Sequence, residues 1–147
     1  MLLPVLQHPN PILNLKSDPV KDVHSPAFKS LVKTMLEIVK SENALGLAGI
    51  QLGVPQQVIV VSADAKNYIV MINPKILPNQ AEERVSLEMC LSYPKQVRII
   101  RPSFVTVQYL DEGGESKELT AVGMLCNVIC HEVDHCLLGQ GIWDYDL

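Results

Sequence analysis

Two histidines four residues apart, with a glutamate between them, lie in the stretch CHEVDHCLLG at residues 130–139. On an α-helix, residues at this spacing lie one turn along and only about 40° around the axis, so His131 and His135 share a face. Both imidazoles could bind one metal ion, with Glu132 beside them as the acceptor of a proton from water. The pattern favours metal-assisted hydrolysis. The same pentapeptide also occurs by chance on helices whose polar face meets only solvent.

The residues around the motif are apolar, which argues against a solvated helix face. They are Met124, Leu125, Cys126, Val128, Ile129, Cys130, Val133, Cys136, Leu137 and Leu138. A helix that is apolar nearly all round is a buried one. Two histidines, a glutamate and Asp134 inside a core would cost free energy unless they were paired or bound to a metal. A buried metal site therefore explains this segment better than solvent exposure does.

A catalytic zinc-like site needs a third protein ligand, and the chain after the motif offers no usual one. Such sites use three protein ligands and keep one position open for water. The final histidine of the extended pattern HExxHxxGxxH falls on Gly141. No glutamate follows the motif, where the remaining acidic residues are Asp144 and Asp146. The third ligand is therefore expected upstream.

Cysteine is one candidate for that ligand. Three of the four cysteines lie on the motif helix, rotated by about 100–140° from a motif histidine, and are interpreted as small core residues. They are Cys126, Cys130 and Cys136. Cys90 is the cysteine that can approach from another element. His8 and His24, in proline-rich segments, stay possible ligands.

Two helices are predicted to frame this chemistry. Ser25 can cap a helix that has proline at its first position, and apolar residues then recur at helical spacing over residues 26–40. The second helix covers about residues 122–138 and carries HEVDH. Gly139 follows it, where a C-cap glycine is expected.

The predicted strands lie between the two helices. The runs VIVVSA at 58–63 and NYIVMI at 67–72 are rich in strand-forming residues, and the second is expected to end at Asn73-Pro74. VTVQYLDEGGESKEL at 105–119 alternates, turns at its Gly-Gly and returns, which predicts a hairpin. Strands with one early and one late helix indicate an α+β fold.

Composition narrows the classes of protein. The 147 residues, with 48% apolar and 19% charged residues, suit one globular domain over 1–147. A net charge of −4 without a basic run argues against direct nucleic acid binding. No stretch is long enough to span a membrane, and the proline-broken N-terminus does not resemble a signal peptide. The cysteine spacing does not fit a secreted disulfide framework, so the cytoplasm is expected.

Three separated stretches together carry a resemblance to a known family. ALGLAGIQLG at 44–53, SLEMCLSYP at 86–94 and HEVDH at 131–135 resemble, in order and spacing, the peptide deformylase motifs GxGLAAxQ, EGCLS and QHExDH. The likeness extends from the proline-rich N-terminus to GIWDYDL. The chain is identified as a member of this family.

The resemblance implies a fold and a metal site. The fold would be antiparallel sheets around a central helix that carries HExxH. Carried over by position, Cys90, His131 and His135 would be the metal ligands and Glu132 the general base. The usual physiological metal of the family is Fe²⁺, with Zn²⁺, Ni²⁺ or Co²⁺ as substitutes.

The resemblance also implies a substrate, the N-formylmethionyl end of newly made polypeptides. Gln51 would donate its side-chain amide to the developing oxyanion, and the backbone N–H of Leu91 would be the second donor. Gly46 would let the substrate backbone approach closely. The methionine side chain is expected in an apolar pocket beside the metal. Its candidate walls are Leu45, Leu87, Met124 and Val128.

Four positions depart from the family motifs: Ala44, Gly49, Met89 and Cys130. None removes a ligand, the base or the amide donor, so catalysis is expected to be retained. Met89 and Ala44 bear on the shape of the substrate cleft, and Met89 adjoins Cys90. Two other interpretations stay open: a metal amidase with a different acyl preference, and a catalytically silent relative whose metal only holds the fold.

The chain also ends shortly after Trp143 and Tyr145. Many bacterial deformylases continue into a C-terminal helix, which some use to dock on the ribosome. Some phages encode short deformylases without it. Ribosome docking through such a helix is therefore not expected here.

Overall fold

The computed structural model describes residues 4–147. The first three residues, part of the segment whose composition argues against a signal peptide, lie outside this range. Two α-helices lie within it, α1 (Pro26–Ser41) and α2 (Gly123–Val133). The strands are β1 (Gly46–Ala48), β2 (Val58–Val61), β3 (Ile69–Ile76), β4 (Glu83–Cys90), β5 (Tyr93–Pro102), β6 (Phe104–Leu110) and β7 (Ser116–Val122).

The strands form two antiparallel sheets around α2. The larger sheet has five strands in the order β1-β2-β3-β6-β7, and the smaller one is the hairpin of β4 and β5. Helix α2 contacts β1, β2, β6 and β7 of the large sheet, and also β5. The α+β prediction is confirmed, with the motif helix between the sheets.

Both faces of the large sheet are covered, which explains the continuous apolar run of β2. Successive side chains of a strand point to opposite faces. Val58 and Val60 therefore pack in the cluster that contains α1, whereas Ile59 and Val61 pack in the cluster that contains α2. All four are fully buried.

The predicted helices and hairpin are present. The Ser25 hydroxyl accepts a hydrogen bond from the N–H of Phe28 at 3.2 Å, which caps α1 as expected. The hairpin of β6 and β7 pairs Phe104 with Val122 and Leu110 with Ser116. The motif helix continues beyond α2 as a short π-helix over Asp134–Leu138, which the sequence did not predict.

The prediction that the strand of residues 67–72 ends at Asn73-Pro74 is wrong. Strand β3 continues to Ile76, with a shift of register against β6 between Ile72 and Lys75. Proline is tolerated in a strand at such an irregularity, because no ladder donor is needed there. Asn73 takes a positive φ of 52°, and its side chain pairs with both backbone groups of Val20, at 2.7 and 3.1 Å.

Strands β4 and β5 were not predicted, and the burial pattern of β4 is the reverse of the usual one. Ser86 and Glu88 are buried, whereas Val85, Leu87 and Met89 are 48%, 63% and 70% exposed. Apolar and polar residues do alternate over residues 85–89, as in a half-buried strand, but the polar residues face inward, and the alternation by itself does not show which face is buried.

Among residues 4–147 no helix is both long enough and apolar enough to cross a membrane.

Gly139 packs closely against the backbone of Asn14, and Gly123 is a comparison position without such a contact. Both have left-handed φ values, 63° and 59°, but a methyl group at Gly139 would overlap the Asn14 carbonyl, whose carbon would lie 2.9 Å away. A methyl group at Gly123 would meet nothing within 4 Å. We expect Gly123→Ala to lower the free energy of unfolding by about 1–2 kcal/mol. Gly139→Ala should lower it by about 2–5 kcal/mol, because overpacking adds to the same strain.

Urea unfolding of the two variants, followed by circular dichroism, measures this difference. Equal losses would mean that the contact between the residue 139 turn and the Asn14 carbonyl is not tight.

Candidate metal centre and active-site cleft

The helix brings the two motif histidines together as their spacing predicts. Their ring centroids are 5.1 Å apart, at an interplanar angle of 63°. His135 is fully buried and His131 is 7% exposed. Burial holds the pKa of His135 well below its usual range, so this imidazole is neutral, the form that binds metals.

Cys90 approaches the histidines from the end of β4. Its Sγ lies 3.4 Å from Nε2 of His135. One donor atom from each of Cys90, His131 and His135 lies within 4.8 Å of the other two. A thiolate and two imidazoles suit a late first-row transition metal rather than magnesium or calcium. The residues therefore fit a metal of the kind that the sequence predicts.

The two alternative ligands lie elsewhere. The ring of His8 stacks on Trp143 with centroids 4.8 Å apart, and Trp143 in turn lies 5.6 Å from the His135 ring. His24 lies near the turn at Gly114, between β6 and β7. Among the described residues, the group whose side chains could together hold a metal consists of Cys90, His131 and His135, which we call the donor cluster. Neither His8 nor His24 belongs to it.

Glu88 sets the orientation of His131. Its Oε1 lies 2.9 Å from Nδ1 of His131. Burial alone would raise the pKa of Glu88, but hydrogen bonds from Arg101 and His131 outweigh it and lower that pKa to about 2. A carboxylate can only accept, so Nδ1 of His131 donates its proton to Glu88, and Nε2 is the nitrogen that would bind a metal.

Arg101 joins this carboxylate to the motif helix. From β5 it donates two bonds to Glu88, at 2.8 and 2.9 Å, and one to Asp134 at 2.8 Å. Tyr145 covers the guanidinium, 5.5 Å from its ring centroid, and its hydroxyl donates to Asp134 at 3.3 Å. Asp134, expected to be costly inside the core, is therefore paired.

Glu132 stands apart from that network. It is 3% exposed, its Oε1 has no hydrogen-bond partner, and its Oε2 lies 4.0 Å from Nε2 of His131. Burial raises the pKa of Glu132 to about 7, although His131 opposes this. A carboxyl group with a pKa near neutrality can both accept and return a proton.

Gly46 borders the Glu132 carboxylate. A Cβ at this position would lie 2.6 Å from Oε2 of Glu132 and 3.0 Å from a methyl group of Val128. Any larger residue would displace the carboxylate. The sequence predicted Gly46 for a close approach of substrate, and this second reason for glycine was not foreseen.

Gln51 lies on the other side of Cys90. It is 1% exposed, and its Oε1 accepts a hydrogen bond from the N–H of Ala48 at 2.9 Å. Its Nε2 donates to the Ser92 hydroxyl at 2.9 Å and lies 3.6 Å from Sγ of Cys90. One amide hydrogen is therefore held by Ser92, and the other lies beside the donor cluster.

A cleft of about 400 Å³ opens onto Cys90, His131 and Glu132, whereas His135 and Gln51 do not line it. All four predicted wall residues line it, namely Leu45, Leu87, Met124 and Val128. Gly46, Leu91 and Met89 line it as well. Met89 is 70% exposed, so its side chain lies at the rim of the cleft.

Sequence reasoning missed four residues of the site: Glu88, Ser92, Arg101 and Tyr145. One signal was available, since Glu88 and Ser92 each stand two residues from Cys90. Arg101 closes the apolar run VRIIR, but the sequence does not show whether it points inward.

One cysteine and two histidines beneath a cleft, with a glutamate beside them, are a group of side chains that could hold a metal ion. Comparison with known proteins assigns the family. The model of the family described as polypeptide deformylase matches residues 2–144. The chain belongs to the polypeptide deformylase family.

Named relatives cover nearly the whole chain. A peptide deformylase of Nitrosococcus oceani is 38% identical over an alignment 147 positions long, which covers 98% of this chain and 86% of that protein. Peptide deformylase 2 of Xanthomonas campestris is 40% identical over an alignment 149 positions long, with the same two coverages.

Solved structures agree with the fold. The crystal structure of a class I type b peptide deformylase from Acinetobacter baumannii with bound actinonin superposes with a TM-score of 0.92 at 32% identity, covering 100% of this chain and 99% of that one. The peptide deformylase of Thermotoga maritima gives a TM-score of 0.92 at 30% identity, with the same coverages.

Removing Arg101 should destabilise the protein far more than removing a surface cation. Arg101→Met would leave Glu88 and Asp134 as buried charges without a partner, at a cost of about 3–5 kcal/mol. Lys117→Met is the matched control, because Lys117 is 48% exposed and lies 3.6–3.8 Å from two surface carboxylates. Its loss should cost about 0–1 kcal/mol.

Chemical denaturation of both variants in EDTA measures the effect without a contribution from metal. Similar losses in the two variants would show that the Arg101 network does not stabilise the fold.

Proposed function

We propose that the protein is a metal-dependent hydrolase that removes the formyl group from the N-terminal formylmethionine of newly made polypeptides in the cytoplasm. The observation that carries the proposal is the cluster of Cys90, His131 and His135 beneath the cleft. Family membership supports the substrate class.

One divalent transition metal would be held by the Cys90 thiolate and by Nε2 of His131 and of His135. Three protein ligands leave a position open on the cleft side, as in catalytic rather than structural sites. The family resemblance favours Fe²⁺ in the cell, with Zn²⁺, Ni²⁺ or Co²⁺ as substitutes. The mixed sulfur and nitrogen donors suit all four of these ions.

When bound, the metal would polarise the formyl carbonyl and lower the pKa of water in the site. Glu132 accepts a proton from the attacking water, whose oxygen bonds to the formyl carbon. Glu132 then returns the proton to the amine as the carbon–nitrogen bond breaks, and formate leaves. Burial supports this role, because it places the pKa of Glu132 near neutrality.

The oxyanion that develops during attack needs preorganised donors. Gln51 is suited to this, since Ser92 holds one of its amide hydrogens and the other lies beside Cys90. The backbone N–H of Leu91, next to Cys90 and on the cleft wall, is the proposed second donor.

The cleft accommodates the methionine and the adjoining peptide. Its apolar walls of Leu45, Leu87, Met124 and Val128 would enclose the flexible thioether. Gly46 and Met89 would border the peptide backbone and the residues that follow methionine.

Cys90 should be required for metal binding, whereas a cysteine of the helix should not. Cys90→Ala should lower bound metal from about one per chain to well under half, because only two ligands remain. Cys126→Ala is the control, because this fully buried thiol is separated from the cluster and donates to the carbonyl of Pro102 at 3.3 Å. The measurement is the metal content per chain of both variants, each purified anaerobically. Equal retention would contradict the ligand assignment.

The protein should prefer formyl over acetyl substrates. A methyl group in place of the formyl hydrogen would have to displace a group of the packed site, at roughly 1–3 kcal/mol. That corresponds to about a tenfold to hundredfold loss in kcat/KM. Matched formyl-Met and acetyl-Met tripeptides test this with the metal-loaded protein.

Glu132→Gln serves as the control for that assay, since it should keep the metal and lose turnover. Comparable kcat/KM values for the two acyl groups would favour a broader amidase. A metal-loaded wild-type protein without turnover on either peptide would favour the catalytically silent interpretation.

A further inference from the structure

A short N-terminal segment hydrogen-bonds to both parts of the chain that carry the proposed oxyanion donors. We call residues 6–8 the N-terminal strap. The N–H of Leu6 donates to the carbonyl of Gln51 at 2.7 Å. The side-chain amide of Gln7 donates to the carbonyl of Leu91 at 2.8 Å. The N–H of His8 donates to the carbonyl of Ser92 at 2.8 Å.

These contacts matter because the two donors come from different elements. Gln51 lies in the 3₁₀ helix of residues 49–52, and Leu91 lies in the turn between β4 and β5. The bond from the buried Gln51 amide to the Ser92 hydroxyl at 2.9 Å joins the two segments. The strap joins them a second time, through their backbone carbonyls.

The Gln7 side chain is the part of the strap that mutation can remove. Its Nε2 donates to the carbonyl of Val5, two residues earlier, at 3.3 Å, and to the carbonyl of Leu91, 84 residues away in sequence. Gln7 is solvent-exposed, so its hydrogen bond contributes little to global stability. Its effect is local, on the turn that carries Leu91.

We propose that Gln7 is a positioning residue that holds Leu91 in place for its N–H to stabilise the oxyanion. This inference rests on the proposed function. Donors of this kind act only when they are fixed at the place where charge develops. Loss of the Gln7 amide lets the turn relax. The Leu91 N–H then stabilises the transition state less, while the binding of substrate in the ground state is unchanged. The expected signature is therefore a fall in kcat at constant KM.

Three variants separate positioning from stability. Gln7→Met keeps the length of the side chain but cannot donate, and Gln7→Lys restores a donor. Gln108→Met is the matched control, because the exposed amide of Gln108 also donates one hydrogen bond, to Glu118 at 3.0 Å, on strands away from the cleft.

With metal-loaded protein and a formyl-Met tripeptide, kcat of Gln7→Met should fall about three- to tenfold, less than the hundredfold or greater loss of a whole oxyanion donor. Its KM should stay within about twofold. Gln7→Lys should recover most of the activity, and Gln108→Met should match the wild type. An unchanged kcat in Gln7→Met, or a loss that Gln7→Lys does not restore, would overturn the proposal.

A measurement without turnover keeps this test separate from the proposed function. In zinc-loaded, ¹⁵N-labelled protein, Gln7→Met should shift the amide resonance of Leu91 and speed its hydrogen exchange, while Gln7→Lys and Gln108→Met should not. A Leu91 amide that is unaffected by Gln7→Met would refute the positioning role even in an inactive protein. If the wild type does not deformylate the peptide, the proposed function fails, and the Leu91 resonance still decides whether Gln7 holds the turn.

Discussion

Arg101 is the charge around which the site is organised. Arg101 is 5% exposed, and its guanidinium binds Glu88 on β4 and Asp134 directly after α2. A buried cation must be paired. Because its two partners lie on the small sheet and on the motif helix, their pairing fixes the position of the sheet relative to the helix. Glu88 then orients His131, and the same strand delivers Cys90 two residues later. The Arg101 side chain thus both stabilises the fold and, through Glu88, orients the proposed ligand His131.

The opposite wall of the centre is held by neutral hydrogen bonds. Gln51, Ser92 and the N-terminal strap join three segments that are far apart in sequence, and no charged side chain takes part in these bonds. These bonds add no charged side chain beside Gln51, whereas Glu88, Asp134 and Arg101 on the other side of the centre act on the pKa of Glu132. In the proposed reaction, donors without a charge of their own stabilise the oxyanion beside Gln51.

The large sheet gives the helix a rigid support. Because α1 and α2 cover its two faces, alternate residues of β2 belong to different clusters, and neither face of the strand meets solvent. The small sheet differs, since β4 exposes Leu87 and Met89 along the cleft and buries Ser86 and Glu88. Its apolar outer face is consistent with contact to a peptide, and its polar inner face supplies the network of Arg101.

The sequence by itself determined the features that depend on near neighbours. The shared face of His131 and His135 follows from helix geometry, the start of α1 from Ser25, and the family from three ordered motifs. The motifs also pointed to Cys90 as the residue that joins the histidines, and the tertiary structure brings its thiol to them. Only the tertiary structure decided that Glu88 pairs with Arg101 and His131, and that Arg101 pairs with Asp134. These partners are 13 to 43 residues apart, and no local pattern specifies which strand lies beside which helix. The inward-facing polar residues of β4 and the continuation of β3 past Pro74 were missed for the same reason: each is stabilised by contacts with chain segments that the local sequence does not contain.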